Sequence, residues 1–185
     1  MTTKQERLQN RLGPEIQEFK QQCQTIQIAS LTDNLPHVSY APFICNETGY
    51  YILISDLAQH GQNLKRSKHV SIMMIEDESS AKSVHARKRL TFDTIAQHIE
   101  KQSPLGQRAI KELIARFGEL VENLSQLGDF NLYQLTPQQG RYVKGFGQAF
   151  NVSGDEMLDI IHLTEGHVKE MKDKEIKEKE LKDKK

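Results

Sequence analysis

Apolar residues recur at helical spacing at the start of the chain, then at alternating spacing, and the change marks where helix gives way to sheet. Thr3-Lys4-Gln5-Glu6 has the form of a capping box. Leu8, Leu12, Ile16, Phe19 and Cys23 then form one apolar stripe. Gly13-Pro14 interrupts the stripe, which predicts a short helix followed by a second from Pro14 to about Cys23. A strand-rich block follows. Ile26, Ile28 and Leu31 predict a strand ending in the turn Thr32-Asp33-Asn34. Val38, Tyr40 and Ile44 share one face of the next strand, Asn46-Glu47-Thr48-Gly49 is a turn, and residues 50–55 form a third strand. A short helix over 57–66 leads into 69–75, whose dense apolar run predicts a strand buried on both sides. After a charged loop, alternation at Leu90, Phe92 and Thr94 predicts a long strand from Arg87 to about Lys101.

The second half begins with a helix opened by Pro104, with Ala109, Leu113, Phe117, Leu120 and Leu124 on its apolar face. Residues 129–135 and 140–146 read as two strands joined across Thr136-Pro137-Gln138-Gln139. Ser153-Gly154-Asp155-Glu156 is a second capping box, predicting a short helix through Ile160 and Ile161. Beyond His167 the chain is lysine and acid almost throughout, with too little to bury to offset its ordering entropy. Residues 1–167 therefore read as one mainly β domain with flanking helices, and 168–185 as a charged, disordered tail.

Charge narrows the possible partners. Lys+Arg and Asp+Glu each number 25, so no long-range field favours nucleic acid or an anionic membrane. No apolar run reaches the length of a membrane span, the first residues lack a secretory core, and two cysteines are too few for a disulfide framework. These features point to the cytoplasm.

Few residues are candidates for chemistry. A neutral imidazole at His167 can ligate haem iron, or it is a surface histidine in a C-terminal loop. His162, five residues earlier, lies about 140° away on a helix and is a poor companion. Arg87, Lys88 and Arg89 can hold a phosphate, a haem propionate or a small ligand on iron, or form a solvated strand end. Asp129 is a turn former or an acceptor that orients an imidazole. His60 reads as exposed. The chain lacks G-x-S-x-G, P-loop and C-x-x-C motifs, which gives no support to a serine hydrolase, a P-loop nucleotidase or a dithiol enzyme.

Five segments carry a resemblance. They are Arg7-Leu8-Gln9-Asn10-Arg11-Leu12-Gly13-Pro14-Glu15-Ile16, Pro36-His37-Val38-Ser39-Tyr40-Ala41-Pro42-Phe43, Ser71-Ile72-Met73-Met74-Ile75-Glu76-Asp77-Glu78, Ala86-Arg87-Lys88-Arg89-Leu90-Thr91-Phe92-Asp93 and Val143-Lys144-Gly145-Phe146-Gly147-Gln148-Ala149. In order and spacing they resemble the HugZ/HutZ family of haem-utilisation proteins, within the pyridoxamine-phosphate-oxidase-like split barrels, over residues 6–167. The resemblance implies a homodimeric split β-barrel of the FMN-binding type, with haem b near the subunit interface. It implies that His167 in Glu165-Gly166-His167 is the axial ligand, that Asp129 hydrogen-bonds that histidine from the partner subunit, and that Arg89 is the distal arginine. The implied activity is oxidative haem degradation to a biliverdin-type product with release of iron, using external reductant and O2. Haem-uptake proteins of the cytoplasm are the implied partners. Two rival readings are an FMN enzyme with its phosphate on Arg87, Lys88 and Arg89, and a haem carrier without activity. The charged tail beyond Lys169 departs from the family pattern.

Overall fold

The computed structural model describes residues 4–153 and 158–159, with side chains from Glu6 to Ser153. Its first helix, α1 (Lys4–Gln22), runs unbroken through Pro14. This corrects the expectation of two helices, and the reason is packing. A mid-helix proline costs about 3 kcal/mol, whereas burying each large apolar side chain returns about 1.5–3 kcal/mol. Leu8, Leu12, Ile16 and Phe19 are all buried along one stripe, while Pro14 and Asn10, whose carbonyl it leaves unpaired, both face outward.

Strands β1 (Thr25–Thr32) and β2 (Leu35–Pro42) form a hairpin closed by Asp33-Asn34. Both loop residues have positive φ, 48° and 68°, the conformation a two-residue turn needs to match strand twist. Pro42 ends β2, so Ile44 starts a separate strand, β3 (Ile44–Asn46). Ile44 is buried while Val38 and Tyr40 are exposed, so the three do not share a face as the spacing suggested. The chain continues through β4 (Gly49–Ser55), α2 (Gln59–Arg66), β5 (His69–Ile75), β6 (Arg89–Ile99), α3 (Pro104–Phe117), α4 (Glu119–Gln126), β7 (Phe130–Gly145), β8 (Gln148–Ser153) and β9 (Leu158–Asp159).

All strand pairings are antiparallel, in the order β2-β1-β5-β6-β7-β4-β3, with β8 on β7 and β9 on β8. The long β7 spans the sheet: β6 lies on one side, and β4 then β8 on the other. It is one strand where the sequence suggested two. Between the pairs Phe92–Gly140 and Thr94–Pro137, two residues of β7 oppose Asp93 alone, and this bulge accommodates Pro137 within a continuous ladder. A Cβ at Gly140 would lie 2.3 Å from the Thr91 carbonyl oxygen and 2.4 Å from the Phe92 ring, so only glycine fits there.

The barrel interior is filled by Ile26, Ile28, Ile52, Ile72, Met74, Leu90, Phe92, Leu135 and Tyr142, with the α1 stripe as its plug. A second core joins α3 to the far side of the sheet through Ile44, Tyr51, Ile99, Ala109, Leu113 and Leu132. Gly118, with φ 84°, separates α3 from α4, and Leu120 is consequently exposed rather than on the buried face. β5 buries only Val70, Ile72 and Met74. On its other face His69 and Ser71 are exposed and Met73 and Ile75 only half-buried, contrary to the expectation of burial on both sides. Leu158 and Asp159 pair with Val152 and Asn151 as strand, not helix, because β8 offers them an open edge. The other residues of that expected helix, including Ile160 and Ile161, lie outside the described residues, as do His162, His167 and the charged tail.

Candidate functional site

Asp129 sits where α4 hands over to β7, one residue before the ladder with β4 begins. Its carboxylate Oδ2 accepts from Ser55 Oγ at 2.7 Å. Its carbonyl accepts from the Asp56 amide at 2.7 Å and from Asn131 Nδ2 at 3.4 Å. Oδ1 has no hydrogen-bond partner among the described residues. The half-buried Asp129 thus keeps one oxygen for an outside donor, as a carboxylate that orients an imidazole requires.

Arg89 opens β6, paired with Ile75 and Val143. Alternation along β6 turns Leu90 and Phe92 into the barrel and Arg89, Thr91 and Asp93 onto the outer face. Its Nη1 donates to the Arg87 carbonyl at 3.4 Å, and its other N–H groups meet no acceptor among the described residues. Arg87 is engaged instead. Nε donates to the Glu76 carbonyl at 2.7 Å, Nη2 donates to the same oxygen, and Nη1 pairs with Glu78 at 2.9 Å. The Lys88 amide donates to the Glu76 carboxylate at 3.1 Å, and its ammonium adds to the positive field at Glu15. Arg87 and Lys88 line a cleft of about 640 Å³ that also takes in Phe19, Cys23, Gln24 and Glu76. Burial pushes the Cys23 thiol up from its ordinary value, against the opposing effect of Arg116, so it stays protonated. The sequence motif of three consecutive basic residues therefore separates in the structure: Arg87 is bound, Lys88 lines the cleft, and Arg89 presents open donors outward.

Arg89 and Asp129 lie at opposite ends of the β6–β7 ladder. Arg89 pairs with Val143, whereas Ile99, at the far end, pairs with Leu132. At about 3.3 Å per residue the strand from Arg89 to Ile99 runs roughly 33 Å. One chain does not bring the two groups to one site. The sequence also missed Ser55 and Asp56, which fix Asp129 from 74 and 73 positions earlier, respectively. No periodicity links residues so distant, and the only local sign was a serine at a strand end. His60 is half-buried in α2, and burial together with His37 lowers its pKa. Among the described residues no group of three or more His, Cys, Asp and Glu is arranged to hold a metal ion, and no helix is long and apolar enough to cross a membrane.

The model of the pyridoxamine 5′-phosphate oxidase family matches residues 12–144, and the chain belongs to that family. Within it, the chain is similar to the haem oxygenase HutZ of Vibrio cholerae, 54% identical over 167 residues, or 90% of this chain and 95% of that protein. A crystal structure of HutZ, described as the haem storage protein of the same organism, aligns with a TM-score of 0.68 at 49% identity, covering 72% of this chain and 94% of that one. ChuZ of Campylobacter jejuni aligns with a TM-score of 0.76 at 32% identity, covering 85% of this chain and 65% of that one. The split-barrel expectation and the resemblance to the haem-utilisation proteins both hold.

Proposed function

We propose that this chain binds haem through His167 and degrades it oxidatively to a biliverdin-type product, releasing iron. The observation that carries this reading is the 54% identity, over nearly the whole chain, to a protein named haem oxygenase. The donor set agrees: a carboxylate with one open oxygen and a half-buried arginine with open N–H groups suit the two sides of an iron porphyrin. Haem is the substrate and also supplies the oxygen chemistry once reductant and O2 are present. The protein's part is to position it. The His167 imidazole holds one axial site, Asp129 accepts the imidazole N–H and sets its electron richness, and Arg89 donates hydrogen bonds on the open side. Since Arg89 and Asp129 are far apart along one chain, the reading takes them from two subunits of a homodimer, with haem near the interface. It further takes residues 1–167 as the haem-binding domain, 168–185 as an appended tail, and the cytoplasm with its haem-uptake proteins as the setting. An FMN enzyme has less in its favour, because Arg87 is already engaged by Glu76 and Glu78.

A second reading, haem storage without turnover, draws on the description of the solved HutZ structure. One experiment tests both. Haem is titrated into wild type and His167→Ala, then ascorbate and air are added. Degradation predicts a Soret band that decays to product absorbance in wild type, and weakened uptake in the variant. A stable Soret band under reductant and air would select storage, and equal uptake with an identical spectrum in His167→Ala would remove the ligand assignment.

A further inference from the structure

We propose that Ser55 is a positioning residue for the haem site, drawing off part of the negative charge of Asp129 and so moderating the carboxylate's pull on the axial imidazole. This rests on the reading above, in which Asp129 accepts from that imidazole.

The geometry fixes which way the Ser55 hydroxyl points. Ser55 ends β4, paired with Phe130, the residue after Asp129. The Leu57 amide donates to Ser55 Oγ at 3.1 Å, which uses an acceptor lone pair of the hydroxyl. The single hydroxyl proton remains, and it lies 2.7 Å donor-to-acceptor from Asp129 Oδ2, an oxygen that only accepts while ionised. The backbone around Ser55 is equally constrained. The Ala58 amide donates to the Ser55 carbonyl at 3.2 Å, and the Asp56 amide donates to the Asp129 carbonyl at 2.7 Å. A Cβ at Gly61 would lie 2.2 Å from the Ser55 carbonyl oxygen, so α2 presses directly on this residue. Ser55 and Asp129 belong to one chain and travel as a unit into whichever subunit's site they serve.

A charge-assisted hydrogen bond to one carboxylate oxygen withdraws charge that both oxygens share. With Ser55 on Oδ2, the open Oδ1 is a weaker acceptor than that of an unrestrained aspartate. A weaker acceptor leaves less imidazolate character on the ligand, and less stabilisation of ferric over ferrous iron. Without the hydroxyl, Asp129 pulls harder and reduction becomes less favourable.

The test uses full-length, haem-loaded protein: wild type, Ser55→Ala, Ser55→Thr, Ser55→Cys and Asp129→Asn. The midpoint potential and the ferrous iron–imidazole stretching frequency are measured alongside thermal melts. Ser55→Ala is expected to favour ferric iron by roughly three- to tenfold, about 28 to 59 mV at 59 mV per decade for one electron, and to raise the stretching frequency. Ser55→Thr keeps the hydroxyl and is expected at wild-type values, with Ser55→Cys, a weak donor, in between. Asp129→Asn is expected to move both quantities the opposite way. A turn-capping serine would alter the melt and leave the potential alone. If Ser55→Ala leaves potential and frequency unchanged while Asp129→Asn moves them, Ser55 has no such role and the parent reading stands. If neither variant moves them, the parent reading falls and the role of Ser55 falls with it.

Discussion

Glu15 shows how a single side chain ties the plug helix to the barrel. Its carboxylate accepts from Tyr142 Oη at 3.0 Å and from Lys144 Nζ at 2.6 Å. Burial by itself would raise its pKa. The hydrogen bonds from Lys144 and Tyr142 and the charges of Lys144 and Lys88 outweigh burial and hold it below the ordinary 4.5. The same contact and burial push the Tyr142 phenol well above its usual range. Since the folded pKa of Glu15 is depressed, its contribution is complete above the unfolded carboxyl range and disappears as pH falls through the folded value. Glu15→Gln is expected to cost about 1 kcal/mol at neutral pH, allowing for solvent around Lys144, and to flatten the acid limb of the stability curve. Denaturant melts between neutrality and acid pH check this, and parallel curves for the two proteins would contradict it. His60 acts on the same side. Burial, then His37, lowers its pKa, so below the ordinary histidine range the unfolded chain takes up the proton first and stability declines.

At the scale of elements, Arg116 of α3 fastens the end of α1. Its guanidinium donates to the Gln21 carbonyl at 2.9 Å, the Cys23 carbonyl at 2.7 Å and the Phe43 carbonyl at 3.2 Å, and it lies over the Phe43 and Phe117 rings. The Gln21 and Cys23 carbonyls lie at or just past the end of α1, which the helix leaves unpaired, and the Phe43 carbonyl lies between β2 and β3. Arg116→Ala is expected to lose about 3 kcal/mol, and Arg116→Lys, without the planar fork, to recover less than half of it. Denaturant unfolding monitored by circular dichroism measures both. Arg116 gives no sign of this role in the sequence, because its partners are 73 to 95 positions away. What could be read was local. The β1–β2 turn, the limits of β5 and the start of α3 all follow from neighbouring residues. Pro14 and Pro137 misled for one reason. Each signals a local break, and each is overridden by burial or by a bulge that only the assembled sheet supplies. The candidate site divides in the same way: the residue types at Arg89 and Asp129 were legible, whereas the separation between them and the grip of Ser55 are tertiary facts.

For the whole molecule, the outer face of the sheet is the surface still to be explained. Val38 and Tyr40 of β2 are 71% and 67% exposed, on the same face as the exposed Leu31 of β1 and, one strand further on, the outward residues of β5. An apolar face of this kind suits a second copy of the chain. Because Arg89 and Asp129 are at opposite ends of one ladder, the dimeric reading makes a sharp prediction. Arg89→Ala and Asp129→Asn proteins, each expected to be inactive alone, are mixed after dissociation and allowed to reassociate. Random pairing then restores about a quarter of the wild-type rate, since half the dimers are hybrids and each hybrid has one intact site. No recovery, with hybrids verified by native mass spectrometry, would mean that both groups act within one subunit.

The β1–β2 hairpin has a consequence beyond the fold. β2 is the last strand on its side of the sheet, and Pro36 and Pro42 interrupt its row of amide donors. A newly made or thermally loosened molecule therefore offers a poor template to any extended chain that meets it there. Crowded growth of fibrils from that margin is discouraged by the same two rings that shape the hairpin.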